Sequence, residues 1–84
     1  MDCVYVLWSK EDRKFYIGYT KDLARRLQEH ENRQCHTTLR MKKPKFIFCE
    51  SFVAESDAKR REEYFKTTKG KKTLKLMLRD SLRQ

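Results

Sequence analysis

Arg26 and His30 stand four residues apart in the stretch Phe15 to His30, FYIGYTKDLARRLQEH. At about 100° per residue they fall at the edge of the helical stripe carrying Leu23, Ala24 and Leu27, not opposite it. A helix built only for packing would place Leu or Ala there. Instead, side-chain types able to meet an anion or pass a proton lie along the border of a core. Tyr16 and Gly18 precede them in the same stretch. Further on, Glu62 lies between Ala58 and Phe65 on the inner side of a second helix. A carboxylate in an apolar stripe costs free energy unless it is paired or holds a cation. Two readings follow for Glu62, a salt bridge to Arg26 or Arg61, or a metal ligand. Two tyrosines, Tyr5 and Tyr16, read from pattern alone as core fillers.

The elements that position these groups follow from composition and periodicity. Cys3–Trp8, CVYVLW, is rich in Val and aromatics and reads as a strand with both faces partly covered. Phe15–Tyr19 is a second strand, and the polar connection SKEDRK between them makes an antiparallel hairpin. There Tyr5 and Tyr16 are candidate cross-strand neighbours. Thr20 is the expected N-cap of a helix over 21–31, with Asp22 in its first turn. A long polar and basic loop from Asn32 to Pro44 holds His36, Arg40, Lys42 and Lys43. Lys45–Phe52 is the third strand. Ser56 is the expected cap of a helix to about Lys69, stopped by Gly70, and Thr73 opens a last helix with a Leu74, Met77, Leu78, Leu82 stripe. The expected class is α+β, a small three-stranded antiparallel sheet flanked by helices in the order β-β-α-β-α-α, as one domain over residues 1–84.

The chain has 84 residues, 38% hydrophobic and 39% charged, so the core must be thin. No run of about 18 apolar residues and no charged-then-apolar leader occurs, so the expectation is a cytoplasmic protein without a membrane span. Cys3, Cys35 and Cys49 are odd in number and lack a CxxC pair, which suits reduced thiols. A zinc site on Cys35 and His36 lacks two further ligands at usable spacing. The net charge of +9 is uneven, +1 over residues 1–38, +2 over 39–55 and +6 over 56–84. A basic second half suits a polyanion, because each Lys or Arg set against a phosphate releases counterions.

Taken together, these residues resemble the GIY-YIG nuclease family over about residues 3–72. Tyr16-Ile17-Gly18 matches its second signature. Cys3-Val4-Tyr5 stands where Gly-Ile-Tyr is usual, with Tyr5 kept and ten residues between it and Tyr16. Arg26 and His30 match the family's Arg-x-x-x-His helix, and Arg61-Glu62-Glu63-Tyr64-Phe65-Lys66 looks like its Arg-Glu-x-x-x-Lys helix. His36 resembles a second His of the homing-endonuclease branch, at a different spacing. The subgroup most resembled is the small single-domain one related to the N-terminal nuclease domain of the bacterial excision-repair incision protein.

The resemblance implies a divalent-metal-dependent endonuclease acting on DNA, more than RNA, in repair, recombination or related processing. It implies Mg²⁺ or Mn²⁺ held by Glu62, phosphate charge met by Arg26, and an attacking water oriented by Tyr5 or Tyr16. His30 would assist by proton transfer or by bonding a phosphate oxygen, and Gly18 would permit a close approach of the backbone. Arg40, Lys42, Lys43, Arg61 and Lys66 are the expected nucleic-acid contacts. Two rivals remain, a nucleic-acid-binding module of the same fold with little or no turnover, and a scaffold docking onto a larger repair or recombination enzyme.

Overall fold

In the computed structural model of the chain, which describes residues 1–32 and 40–84, the expected sheet and helices are present in the expected order. Strands β1 (Asp2–Ser9), β2 (Lys14–Thr20) and β3 (Lys45–Phe52) form one antiparallel sheet in the order β2-β1-β3. Helices are α1 (Leu23–Glu31), α2 (Glu55–Lys66) and α3 (Thr68–Met77), followed by a short 3₁₀ turn at Ser81–Arg83. Strand β1 is therefore central, and β2 presents an unpaired edge. Among the described residues no helix is long and apolar enough to cross a membrane.

The alternation of β1 divides the molecule into an apolar face and a polar one. Val4 and Val6 face α2 and α3, where they join Ile17, Ala58, Phe65, Leu74 and Leu78 in the core. Tyr5 and Leu7 face the other way, opposite Gly18 and Tyr16 on β2. That register sets Tyr5 and Tyr16 diagonally across the hairpin rather than directly opposite, with ring centroids 6.0 Å apart. A register shift between Val6 and Leu7 on the β3 side lets both Ile47 and Phe48 pack on the core cluster.

Helix α1 is held differently from the expectation. Asp22, not Thr20, is its N-cap, and the Asp22 carboxylate accepts from the Arg25 amide at 3.1 Å. Thr20 instead folds the entry turn, its hydroxyl accepting from the Asp22 amide at 3.1 Å. Leu23 and Leu27 are half-buried and Ala24 is exposed. The buried residue of α1 is His30, so a polar side chain anchors this helix to the sheet.

The α2–α3 break also differs. Gly70 does not stop a helix; it is buried inside α3. Thr67 is both the last cap of α2 and the first of α3: its hydroxyl donates to the Tyr64 carbonyl at 2.6 Å and accepts from the Gly70 amide at 2.9 Å. This tight corner presses α3 on α2, and a Cβ at Gly70 would stand 1.9 Å from the Tyr64 carbonyl oxygen. Backbone rather than a flexible side chain blocks that space. Gly70→Ala is therefore expected to destabilise by about 2–3 kcal/mol, lowering the melting temperature by roughly 10–20 °C. Thermal melts followed by circular dichroism check this, and an unchanged melt would mean that the corner is looser than described.

Candidate active site

The polar face of the hairpin and the end of α1 build one hydrogen-bonded cluster. Tyr5 is fully buried. Its ring lies across β2 at Gly18, where a Cβ would stand 2.4 Å from the Tyr5 Cζ and hydroxyl oxygen. The glycine between two strand aromatics is thus required by a tyrosine on the neighbouring strand. The Tyr5 hydroxyl meets His30 Nε2 at 2.8 Å and accepts from Arg26 Nε at 3.2 Å. The Tyr16 ring packs beside this group, its centroid 6.0 Å from that of Tyr5 and 4.9 Å from that of His30. Glu29, one turn along α1, accepts from Arg26 Nη1 at 3.0 Å and fixes the other side of the guanidinium.

The electrostatics of the cluster follow from burial and from that guanidinium. Desolvation raises the Tyr5 pKa well above the phenolic range; the Arg26 hydrogen bond opposes this without offsetting it. The pKa of Arg26 is raised further by Glu29 and by Tyr5. His30 has its pKa lowered, first by burial and then by the Arg26 charge. Because arginine only donates, the Tyr5 oxygen accepts from it, while the direction of its bond with His30 Nε2 is set by the imidazole tautomer. With its pKa lowered, His30 is a neutral imidazole at about pH 7.

Protonation of His30 costs more in the folded chain than in the unfolded one. Its contribution is complete above the unfolded value near ~6.5 and is lost as pH falls below it. Melting temperature is expected to drop between about pH 7 and 5, and His30→Gln should flatten that part of the curve. A wild-type curve with no slope there would contradict a neutral buried imidazole.

Beside this cluster a cleft of about 420 Å³ runs along the unpaired edge of β2. It is lined by Phe15–Tyr19, by Arg26 from α1, by Glu62 and Lys66 from α2 and by Lys71 from α3. The sheet edge is its floor, and helices from opposite faces of the sheet are its walls. Arg26 therefore stands on one side and Glu62 on the other. Tyr16 lines the cleft, whereas Tyr5 sits behind it. The Glu62 side chain is 20% exposed, and Lys66 Nζ donates to its Oε2 at 3.0 Å. Neither Arg26 nor Arg61 is its partner.

One carboxylate at a cleft is a donor set suited to a hard cation that keeps most of its waters, such as Mg²⁺ or Mn²⁺. It does not suit zinc, which takes three or four protein ligands. Among the described residues no group of three His, Cys, Asp or Glu side chains could hold a metal. Cys35 and His36 lie outside the described residues.

The expected nucleic-acid contacts separate into three places. Lys66 is in the cleft. Arg40 lines an adjoining groove with Asp12, Lys14 and Met41, continuous with the cleft because Phe15 and Tyr16 line both. Lys42 and Lys43 border a different hollow with Trp8, Lys10 and Lys45. The Lys42 backbone is pinned there by Ser9 Oγ, at 2.6 Å from its carbonyl, and by Asp12, at 2.9 Å from its amide. Arg61 is on the β3 side, paired with Glu50 at 2.8 Å and stacked 4.3 Å from the Phe65 ring centroid.

Two contributors escaped the sequence reading. Glu29 is absent from that reading, although its spacing three residues after Arg26 is a usable signal. Lys71 carried none, since only the α2–α3 corner brings it to the cleft. Cys3, which replaces the usual Gly, reaches away from the cleft to Ser51 on β3, with Sγ 3.3 Å from its hydroxyl.

Comparison with known proteins bears on the same residues. The model of the GIY-YIG catalytic domain matches residues 1–75. The UPF0213 protein SSP2268 of Staphylococcus saprophyticus is 33% identical over 75 residues, covering 88% of this chain and 90% of that one. The UPF0213 protein YazA of Bacillus subtilis is 36% identical over 69 residues, covering 81% and 69%. A UPF0213 protein of Limosilactobacillus reuteri is 38% identical over 66 residues, covering 75% and 68%. No solved structure matches at comparable stringency. The matched span contains Tyr5, Tyr16, Gly18, Arg26, His30 and Glu62.

Proposed function

Because the chain belongs to the GIY-YIG family, a family of nucleases, we propose that it is a divalent-metal-dependent endonuclease hydrolysing phosphodiester bonds of DNA. Its setting is repair, recombination or related DNA processing in the cytoplasm. The observation that carries this reading is the cleft itself, with Arg26 on one wall and the Glu62 carboxylate on the other along the open edge of β2.

Hydrolysis requires water to attack a phosphorus atom already surrounded by negative oxygens. Arg26 presents a planar fork to a phosphate in the cleft and neutralises charge that grows on its oxygens. Glu29 and the Tyr5 hydroxyl hold that fork in place, so no reorganisation is needed at the moment of reaction. Tyr16, on the cleft side of the pair, orients the attacking water. Tyr5 stays a phenol because burial disfavours its phenolate; with neutral His30 it fixes Arg26 and Tyr16 from behind. Glu62 would hold Mg²⁺ or Mn²⁺, which would supply Lewis-acid charge to the phosphate. Lys71 inside the cleft and Arg40 in the adjoining groove add to its positive surface.

The test is incubation of purified protein with single-stranded, duplex and branched DNA and with RNA, each with Mg²⁺, with Mn²⁺ and with chelator. Metal-dependent cleavage of at least one DNA form is expected. Salt-sensitive binding with no cleavage of any substrate would replace this reading with that of a binding module.

A further inference from the structure

Glu62 is the one acidic side chain among the described residues lining the cleft, and a cation already lies against it. Lys66 Nζ stands 3.0 Å from Oε2. We propose that Lys66 is a positioning residue that keeps the divalent ion's place at Glu62 and must be displaced when the ion binds. This rests on the reading of Glu62 as the metal-holding carboxylate.

Three observations carry it. First, the pair is one turn apart on α2, Glu62 before Lys66, the orientation in which such a pair forms most readily. It holds the carboxylate toward the cleft before any ion arrives. Second, the partners are unequally covered, 20% exposure for the Glu62 side chain against 55% for Lys66. The ammonium is therefore the more exposed partner of a partly shielded acid. A divalent ion bound at ~2.1 Å from an oxygen and an ammonium on that same oxygen repel one another. Third, Lys66 is the last residue of α2 and its side chain is half in solvent, so it can swing away without disturbing the core. Lys71 lines the same cleft with no ion pair among the described residues, which leaves a cation for phosphate while Lys66 is engaged.

A simple phosphate contact at Lys66 would leave metal binding in the absence of nucleic acid no different from that of a Lys71 variant. Displacement gives the opposite result. Mn²⁺ binding is measured by the loss of the free-ion electron paramagnetic resonance signal, without nucleic acid, on wild type, Lys66→Gln, Lys66→Arg, Lys71→Gln and Glu62→Gln. Lys66→Gln is expected to bind Mn²⁺ about 3- to 10-fold more tightly than wild type. Lys66→Arg should bind no more tightly than wild type, and Lys71→Gln should stay within about twofold of it. Equal or weaker binding by Lys66→Gln, or an equal gain in Lys71→Gln, overturns the proposal. If Mn²⁺ binding is lost in Glu62→Gln yet unchanged in Lys66→Gln, only the role of Lys66 fails. Binding that survives Glu62→Gln, or is absent from every variant, removes the metal reading of Glu62 and the proposal with it.

Discussion

Arg26→Ala is expected to slow DNA cleavage by ~10²- to 10³-fold while the melting temperature stays within a few degrees of wild type. The guanidinium is partly exposed at the cleft, and its contacts with Tyr5 and Glu29 are polar. Removing it leaves Tyr5 bonded to His30 and Glu29 free to take water, so no large cavity or orphaned charge is buried. What is lost is fixed positive charge at the phosphate. Arg26→Lys should recover little, because a point charge cannot reach Tyr5 and Glu29 together as a planar fork does. Cleavage rates at enzyme excess, read beside circular-dichroism melts, separate the two effects. A variant that unfolds, or one that cleaves at the wild-type rate, makes Arg26 a structural partner of Tyr5 and nothing more.

Glu62→Gln carries the larger expected loss, ~10³-fold or more, since in the proposed mechanism several kcal/mol of charge stabilisation at the reacting phosphate depend on the ion at Glu62. Its effect on stability without metal should be small. The pair with Lys66 is partly exposed and contributes at most ~0.5 kcal/mol, and a partly shielded charge is removed with it. Any rise in melting temperature that wild type gains from Mg²⁺ or Mn²⁺ should vanish in the variant, because binding to the native state alone is what produces such a shift. Glu63, exposed on a different face of α2, is the matched control. Glu63→Gln should keep both the metal shift and the cleavage.

The hairpin, the third strand and the helix order were legible because each rests on local periodicity and turn chemistry. Arg26, His30 and Glu62 stood out for a related reason, as polar types at the border of, or within, apolar stripes. Strand order was not legible, so neither was the fact that β2 is the open edge and hence the floor of the cleft. The separation of Tyr16, lining the cleft, from Tyr5, buried behind it, depends on a register that short polar turns do not fix. Gly70 misled because a glycine after a helical run signals a stop, whereas here it admits a neighbouring carbonyl. Leu23, Ala24 and Leu27 suggested an apolar anchor for α1, yet a buried histidine holds it through Tyr5. A core this thin leaves part of the helix docking to the hydrogen-bonded cluster that the proposed chemistry uses.

The central claim is that the β2-edge cleft cuts DNA by means of Glu62. The measurement that addresses it most directly is metal-started cleavage of end-labelled DNA at enzyme excess, with wild type, Glu62→Gln and Glu63→Gln run side by side. Product is expected from wild type and Glu63→Gln only after Mg²⁺ or Mn²⁺ is added, and none above background from Glu62→Gln at any metal concentration. Metal-dependent cleavage by Glu62→Gln at the wild-type rate would contradict that claim.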